Sequence, residues 1–251
     1  MSAPLVSVVV PLRDRAGVRL GNCLASLRWQ QSPPRDDVEI VLSDYGSAEP
    51  FRTDVAALAS AHGAAHRYTD ARGLWNRSAA LNCGIRAAHG RWVLCTDSDM
   101  IFAPNFLATL LAVQAEHDER ALCLCRSSDL PPGAAEGAVA EADLPALRGR
   151  AALRPTYGKG GCQFARRSWF EDVRGYDEGY QWWGWEDLDM AHRAQRSGLV
   201  WVWVEERTWM LHQWHRKLND RHYLKIWGNR WRYWTTRHRV VKNLDRWGEG
   251  R

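Results

Sequence analysis

Short apolar runs alternate with amphipathic segments along the first hundred residues, and this alternation limits the fold more than any other feature of the sequence. LVSVVVPL (5–12) is apolar throughout, as expected for a strand buried on both faces. Residues 17–31 follow with helical spacing. The alternation continues with predicted strands at 38–44 and 91–99 and predicted helices at 53–62 and 76–90. Such a pattern predicts an α/β fold with a mostly parallel sheet of Rossmann-like βαβ units, and ligands beyond the carboxyl ends of its strands.

The composition indicates one globular protein whose cysteines are reduced. The chain has 251 residues and 45% hydrophobic composition, enough for a sizeable core. No apolar run approaches the roughly 20 residues of a membrane span, and the first ten residues lack the features of a secretory signal. The six cysteines show no zinc-ribbon spacing. We therefore expect a cytoplasmic location, which includes the inner surface of the membrane.

The C-terminal segment 216–251 differs from the rest in charge and aromatic content. It carries eleven Lys/Arg against three Asp/Glu, while the other residues are net acidic. Trp227, Trp231 and Trp234 recur at helical spacing and predict a basic, Trp-rich helical extension. The aromatic stripe is expected to pack against the main domain; the alternative is a helix that binds a membrane surface or a partner.

Two groups of carboxylates stand out as candidate chemistry. Asp97 and Asp99 end a predicted strand and point to the same side of it, with no cation adjacent in sequence. Such a pair is suited to Mn²⁺ or Mg²⁺. Glu186 and Asp187 follow a tryptophan cluster, in the stretch WWGWED. Acidic residues in the first turn of a helix are stabilised by its dipole, so a purely structural interpretation is open for this second group.

The order and spacing of these motifs resemble family 2 glycosyltransferases with the GT-A fold. The resemblance rests on SVVVPLRD, VLSDYGS, NRSAALNCGIRAAHGRWVLCTDSD, GGCQFARRSWFEDVRGYDE and WGWEDLDMAHR, between about residues 6 and 198. WGWED further resembles the W-G-x-E-D segment of β-1,4-galactosyltransferases and chondroitin-type polymerases. The family more often has D-D-G-S where this chain has SDYGS, so Tyr45 is a departure.

This resemblance implies roles for individual residues. The nucleotide would be bound by Pro11, Arg13, Asp14, Asp44, Asn82 and Asp97. Asn82 is equally well explained as a structural polar residue. Asp99 would be the direct metal ligand, with a histidine from His212 and His215, of which His212 follows its strand more closely. The acceptor would be bound by Gly161, Trp183, Trp185 and Glu186, and Asp187 would be the catalytic base, with Glu186 beside it.

The resemblance also implies a domain organisation and an activity. A GT-A domain would span 1–215, with a nucleotide-binding part at 1–100, a variable loop at 127–157 and an acceptor part at 158–215; the extension is 216–251. The expected activity is metal-dependent transfer from a UDP-sugar to a hydroxyl of a carbohydrate, peptide or small molecule, with inversion. A retaining enzyme is an alternative. A nucleic-acid-binding module, which would use the basic tail, leaves both acidic motifs unexplained, so no nucleic-acid partner is expected.

Overall fold

The computed structural model describes residues 3–216 and 223–250. Its main sheet has the strand order β10-β6-β9-β4-β1-β2-β3. Neighbouring strands run parallel except where β9 pairs antiparallel with β4 and β6. The strands are β1 Val6–Leu12, β2 Val38–Tyr45, β3 Ala65–Thr69, β4 Trp92–Cys95, β5 Met100–Phe102, β6 Ala121–Leu124, β7 Ser127–Asp129, β8 Ala152–Leu153, β9 Gln163–Arg166, β10 Val200–Trp203 and β11 Met210–His212. The predicted α/β fold with a mostly parallel central sheet is confirmed.

Helices cover both faces of this sheet. They are α1 Val18–Arg28, α2 Phe51–His62, α3 Arg77–Ala87, α4 Phe106–Glu116, α5 Leu144–Arg150, α6 Arg167–Asp172, α7 Glu186–Arg196 and α8 Tyr223–Thr236. Apolar residues of α1, α2 and α4 share one core with alternate residues of β1, while α3, α6 and α7 contribute to the core on the opposite face. Every residue of β1 is buried, as its unbroken apolar run predicts.

A second, smaller sheet lies beside the carboxyl ends of the main strands. Its order is β5-β11-β7-β8. Segment 127–157, which we expected to be a variable loop, instead supplies β7, α5 and β8 to this part of the fold. The cause is a set of leucines inside the small-residue composition: Leu130, Leu144 and Leu147 are buried against β5 and β11. Helix and strand formation is therefore stabilised here by tertiary packing.

The C-terminal segment is fastened to the main domain by buried charges. Asp177, fully buried, accepts hydrogen bonds from Arg232 of α8 and from the Lys242 ammonium, at 2.6 and 3.0 Å. The described tail, 223–250, therefore packs as part of the domain. Among the described residues, no helix combines the length and apolar character that crossing a bilayer requires.

The aromatic stripe of α8 faces solvent, contrary to the packing we expected. Trp227, Trp231 and Trp234 are 64%, 73% and 50% exposed. The opposite face of the helix, with Asn229 and Tyr233, is buried. The periodicity therefore identified the two faces correctly but assigned the aromatic one to the wrong side.

Candidate active site

The two aspartates of the D-x-D motif lie where β4 ends and the chain crosses to the smaller sheet. Thr96 anchors the turn: its backbone N–H donates to Val9 O, and its hydroxyl donates to Gly161 O at 2.7 Å. The strand β5 then starts at once and pairs antiparallel with β11, opposing Met100 to His212. This register brings β11 and the residues that follow it to the side of Asp99.

Asp99, His212 and His215 form a cluster that can hold a metal ion. One ligand atom from each lies within 4.8 Å of the others. The Nε2 atoms of His212 and His215 are 3.7 and 3.4 Å from Asp99 Oδ2. One carboxylate and two imidazoles fit a divalent transition ion. We preferred His212 as the ligand; the structure brings both histidines to Asp99.

His212 is oriented by a carboxylate on its other side. Its Nδ1 lies 2.9 Å from Asp129 Oδ1, and Arg154 donates from Nε to both oxygens of Asp129. This partnership leaves Nε2 directed to Asp99, as is typical of metal-binding histidines. Burial lowers the pKa of His212, which favours the neutral form that binds metals. No sequence motif pointed to Asp129, because it falls within the segment predicted to be a loop.

Arg77, which the sequence analysis did not single out, joins Asp97 to the acidic pair of α7. It donates to Asp97 Oδ1 from Nε and Nη2, at 3.0 and 2.8 Å. It also donates to Asp187 Oδ1 at 2.6 Å and to the carbonyl of Gly160 at 2.8 Å. No cation is adjacent to the D-x-D pair in sequence, but in the structure Arg77, the first residue of α3, lies against Asp97 and is itself buried.

Glu186 differs from Asp187 in that its carboxylate has no hydrogen-bond partner among the described residues. Its side chain is 2% exposed, neither carboxylate oxygen is hydrogen-bonded within the described structure, and Arg77 Nη1 is 3.9 Å away. Burial and the negative charge of Asp187 raise the pKa of Glu186 to about 8, against the opposing charge of Arg77. It lines a small cleft together with Arg77, Ser78, Tyr180, Gln181, Trp182 and Trp183.

The two glycines before β9 have different surroundings. A Cβ at Gly160 would lie 2.4 Å from Asp187 Oδ2, so this position permits the close approach of backbone to carboxylate. At Gly161, which we predicted to bind the acceptor, a Cβ would instead meet the methyl carbons of Met210 and Met100. Gly160 therefore borders the acidic pair, and the acceptor-binding role of Gly161 stays a prediction.

The predicted nucleotide residues of the first two strands meet at one edge of the sheet. Pro11 pairs in register with Ser43, one residue before Asp44. Asp14 accepts a hydrogen bond from the N–H of Ala48, which ties the two loops together. Arg13 donates to the carbonyl of Gly73.

Asp44 itself is fully buried and engaged on both oxygens. Oδ1 accepts from the N–H of Ser47, and Oδ2 lies 3.0 Å from Nε2 of His66. His66 belongs to β3, a strand that the sequence analysis did not predict. Asp44 is thus held rigidly at the carboxyl end of β2.

Asn82 does not join this group. It is buried and exchanges hydrogen bonds with the backbone of Tyr176, and its amide also donates to Glu178. A Cβ at Gly248 would lie 2.6 Å from its carbonyl, so the C-terminal segment packs over it. These contacts correct the nucleotide-binding prediction for Asn82 and support the structural alternative.

The tryptophans of WWGWED have unequal positions. Trp183 is 61% exposed beside the cleft, as a wall for an acceptor requires. Trp185 immediately precedes α7 and packs on Tyr233 of α8, with ring centroids 5.2 Å apart. Part of the Trp185 ring is therefore covered by the C-terminal helix.

Comparison with known families fits this arrangement. The family model described as glycosyl transferase family 2 matches residues 7–174, which include the D-x-D turn and Arg77. The chain belongs to glycosyltransferase family 2. A second model, the N-terminal domain of galactosyltransferase, matches residues 153–215 of this family 2 chain, including WWGWED and both histidines. No curated protein sequence matches the chain.

Solved structures share the fold of this family 2 chain at low sequence identity. GalNAc-T7 with UDP, GalNAc and Mn²⁺ has a TM-score of 0.63 and 17% identity, over 86% of this chain and 45% of its own. The mannosyltransferase PcManGT from Pyrobaculum calidifontis, with GDP-Man and Mn²⁺, has a TM-score of 0.60 and 20% identity, over 94% of this chain and 63% of its own. S. aureus TarS has a TM-score of 0.62 and 15% identity, over 84% of this chain and 37% of its own. The likeness identifies the GT-A fold, and the chain spans 37–63% of the length of these proteins.

Proposed function

We propose that the protein transfers a sugar from a UDP-sugar to an acceptor hydroxyl, with a divalent metal and with inversion at the anomeric carbon. The observation that carries the proposal is the convergence of Asp99, His212 and His215 beside Arg77 and the acidic pair of α7, at the carboxyl end of β4. The fold is also that of proteins solved with UDP, GDP-Man and UDP-GlcNAc. Transfer is to a carbohydrate, a peptide or a small molecule rather than to nucleic acid.

One group of residues would bind the nucleotide of the donor, and a second group would bind the metal. Pro11, Asp14 and Asp44 form the nucleotide end, with Asp44 held by His66 and Ser47 at the carboxyl end of β2. Asp99, His212 and His215 would hold the metal, which when bound would compensate the charge of the departing diphosphate. Two imidazoles favour Mn²⁺ over Mg²⁺, because Mg²⁺ prefers oxygen ligands.

The acceptor side is carried by the acidic pair. Arg77 fixes one oxygen of Asp187, and Gly160 leaves room beside the other, so Asp187 is held in one orientation as the base that takes the acceptor proton. Glu186, whose oxygens have no partner in the described structure, would bind acceptor hydroxyls, with Trp183 packed on a sugar face. The match to the galactosyltransferase model supports this assignment of WWGWED.

Thermal unfolding with a panel of nucleotides tests the donor and metal together. A ligand that binds only the folded state raises its stability by about 2.7 kcal/mol at 100 times its Kd. We expect UDP with Mn²⁺ to raise the Tm, and UDP alone or GDP with Mn²⁺ to raise it less. A panel in which no nucleotide raises the Tm in the presence of Mn²⁺ would refute the proposal.

The solvent-facing side of α8 favours a second function, attachment to an anionic membrane surface. The helix has no acidic residue, and Arg230 and Arg237 lie 5.5 and 4.2 Å from the rings of Trp227 and Trp234. Exposed tryptophans flanked by arginines suit a lipid interface with negative headgroups.

Sedimentation with vesicles tests this attachment. The protein should bind vesicles containing phosphatidylglycerol and should not bind pure phosphatidylcholine. Replacing Trp227, Trp231 and Trp234 by Ser should abolish binding, while Tyr157→Ser, also at an exposed aromatic, should not. Retention on an oligonucleotide without vesicle binding would assign the basic face to nucleic acid instead.

A further inference from the structure

The loop that carries the acceptor tryptophans has an unusual backbone. Trp182 and Trp185 adopt positive φ of 66° and 78°, and Gly184 has φ of 95°. A non-glycine residue in a left-handed conformation costs about 1–3 kcal/mol and persists only where its surroundings enforce it. The loop leads directly into Glu186 and Asp187, so whatever enforces its shape also sets the position of the acidic pair.

Trp182 is held by its backbone N–H, which donates to the carbonyl of Trp75 at 3.0 Å. Asn229 of α8 adds side-chain hydrogen bonds on both sides of Trp182. Its Oδ1 accepts from the N–H of Gln181 at 3.0 Å. Its Nδ2 donates to the carbonyls of Gln181, Trp183 and Gly184, at 2.8, 3.1 and 3.1 Å. The side chain is 3% exposed, and all its hydrogen-bonding groups are used on one loop. Among the described contacts, no other side chain of α8 hydrogen-bonds to the backbone of residues 181–185.

Residues of α8 other than Asn229 hold the helix on the domain. Arg232 bonds to Asp177, and Tyr233 contacts His192 Nδ1 through its hydroxyl at 2.6 Å. These contacts hold the helix on the domain without touching the loop backbone. Tyr233 also packs on the Trp185 ring, so it both anchors the helix and contacts the loop. The hydrogen bonds of Asn229 to the loop backbone are nevertheless separate from these anchoring contacts and can be removed while the anchors remain.

We propose that Asn229 is a positioning residue, which holds the 181–185 loop in the form that binds the acceptor. The role in acceptor binding rests on the proposed function. Losing Asn229 leaves the carbonyls of Trp183 and Gly184 without this partner and frees the strained residues to relax. Trp183 and Glu186 then leave their binding positions, while the nucleotide and metal residues, on other elements, stay in place.

Steady-state kinetics of Asn229→Ala tests the proposal. The acceptor KM should rise about tenfold or more, because several hydrogen bonds worth about 0.5–1.5 kcal/mol each are lost. The KM of the UDP-sugar and the affinity for UDP with Mn²⁺ should stay within about twofold of wild type. Transfer of the sugar to water should persist, so the ratio of transfer to hydrolysis should fall. Thr235→Ala, at an exposed position of the same helix, should leave all these quantities unchanged.

Hydrogen exchange separates the two proposals. The amides of residues 181–189 should exchange faster in Asn229→Ala than in Thr235→Ala, whatever reaction the protein catalyses. Asn229→Asp, which retains the acceptor oxygen but loses the amide donors, should show the same changes if the alanine variant does not fold. Unchanged exchange, or an unchanged acceptor KM, would refute the role of Asn229. A wild-type protein that turns over no UDP-sugar would refute the proposed function alone.

Discussion

Two carboxylate clusters lie side by side in this cleft, and their surroundings differ. Asp99 faces two imidazoles, with Nε2 atoms at 3.4 and 3.7 Å. Asp97, two residues earlier, shares the guanidinium of Arg77 with Asp187. The cluster around Asp99 thus offers imidazole nitrogens as ligands. In the cluster of Asp97 and Asp187, the negative charge is already balanced by the permanent cation of Arg77.

The difference indicates why two neighbouring aspartates of one motif need not do the same work. Burial raises the pKa of Asp99, but the hydrogen bond from His215 and the nearby imidazoles outweigh it and lower the pKa overall. An ionised carboxylate between two histidines is suited to an incoming cation. Asp97 is suited to hold Arg77, and through it the acidic pair of α7, in a fixed geometry.

Removing the carboxylate of the first cluster should have the largest effect. We expect Asp99→Ala to abolish Mn²⁺-dependent binding of UDP and to reduce turnover to background, while circular dichroism shows an intact fold. Asp129→Asn, which loosens His212 and also weakens the ion pair with Arg154, should weaken Mn²⁺ binding by about 10–100-fold. Calorimetric titration measures both. Wild-type affinity for UDP with Mn²⁺ in Asp99→Ala would place the metal elsewhere.

In the second cluster, Asp187→Asn should separate catalysis from binding. Loss of a positioned base lowers kcat by about 10²–10⁴, while the affinity for UDP with Mn²⁺ should stay near wild type. Steady-state assays give kcat, and NMR of the product gives its anomeric configuration. A variant that retains more than about a tenth of the wild-type kcat, or a product with retained configuration, would exclude Asp187 as the base of an inverting reaction.

Arg77→Met should affect stability more than metal binding. It leaves Asp97 and Asp187, both partly exposed, beside the buried Glu186 without their shared cation. Removing one partner of a fully buried ion pair costs about 3–5 kcal/mol, and we expect a smaller loss here because solvent reaches both aspartates. Urea unfolding measures this loss. Arg72→Met, at a side chain that is 90% exposed, should be neutral. Equal stability of the two variants would show that the second cluster does not depend on Arg77.

Glu186→Gln should have the smallest effect on turnover, and its effect on stability should depend on pH. The folded protein keeps Glu186 protonated up to about pH 8, whereas the unfolded chain releases the proton near its ordinary pKa of 4.5. Stability of the wild type therefore falls across that interval and levels off above it. The Tm advantage of the glutamine variant should grow from pH 5 to pH 8, where each kcal/mol is worth roughly 2–4 °C. A pH-independent difference would contradict the raised pKa.

The sequence alone predicted those features of the fold and the site that depend on residues close together in the chain. The apolar runs predicted β1, β2 and β4, and the end of β4 predicted Asp97 and Asp99 at the edge of the sheet. H-x-x-H after the tryptophan-rich strands predicted His212 and His215, although their approach to Asp99 depends on the β5–β11 register.

What the sequence did not predict depends on distant partners. Arg77 resembles any polar residue at a helix start until α7 brings Asp187 to it, 110 positions later. Asp129 lies in a segment whose composition resembles a loop, and its role appears only once β7 lies beside β11. Asn229 reads as an ordinary helix residue, because its four hydrogen bonds go to a loop 45–48 positions earlier in the chain.

The end of the described chain returns to α3, and this has a consequence for the order of folding. Arg86 donates to the carbonyl of Trp247, 161 positions away, and Gly248 packs on Asn82. Contacts that close such long loops form late, and during synthesis the N-terminal part of a chain emerges first. The first hundred residues can pair their parallel strands before α8 exists, whereas the loop at 181–185 obtains Asn229 only afterwards. A nascent chain would therefore form the proposed nucleotide end of its site well before the proposed acceptor side is complete.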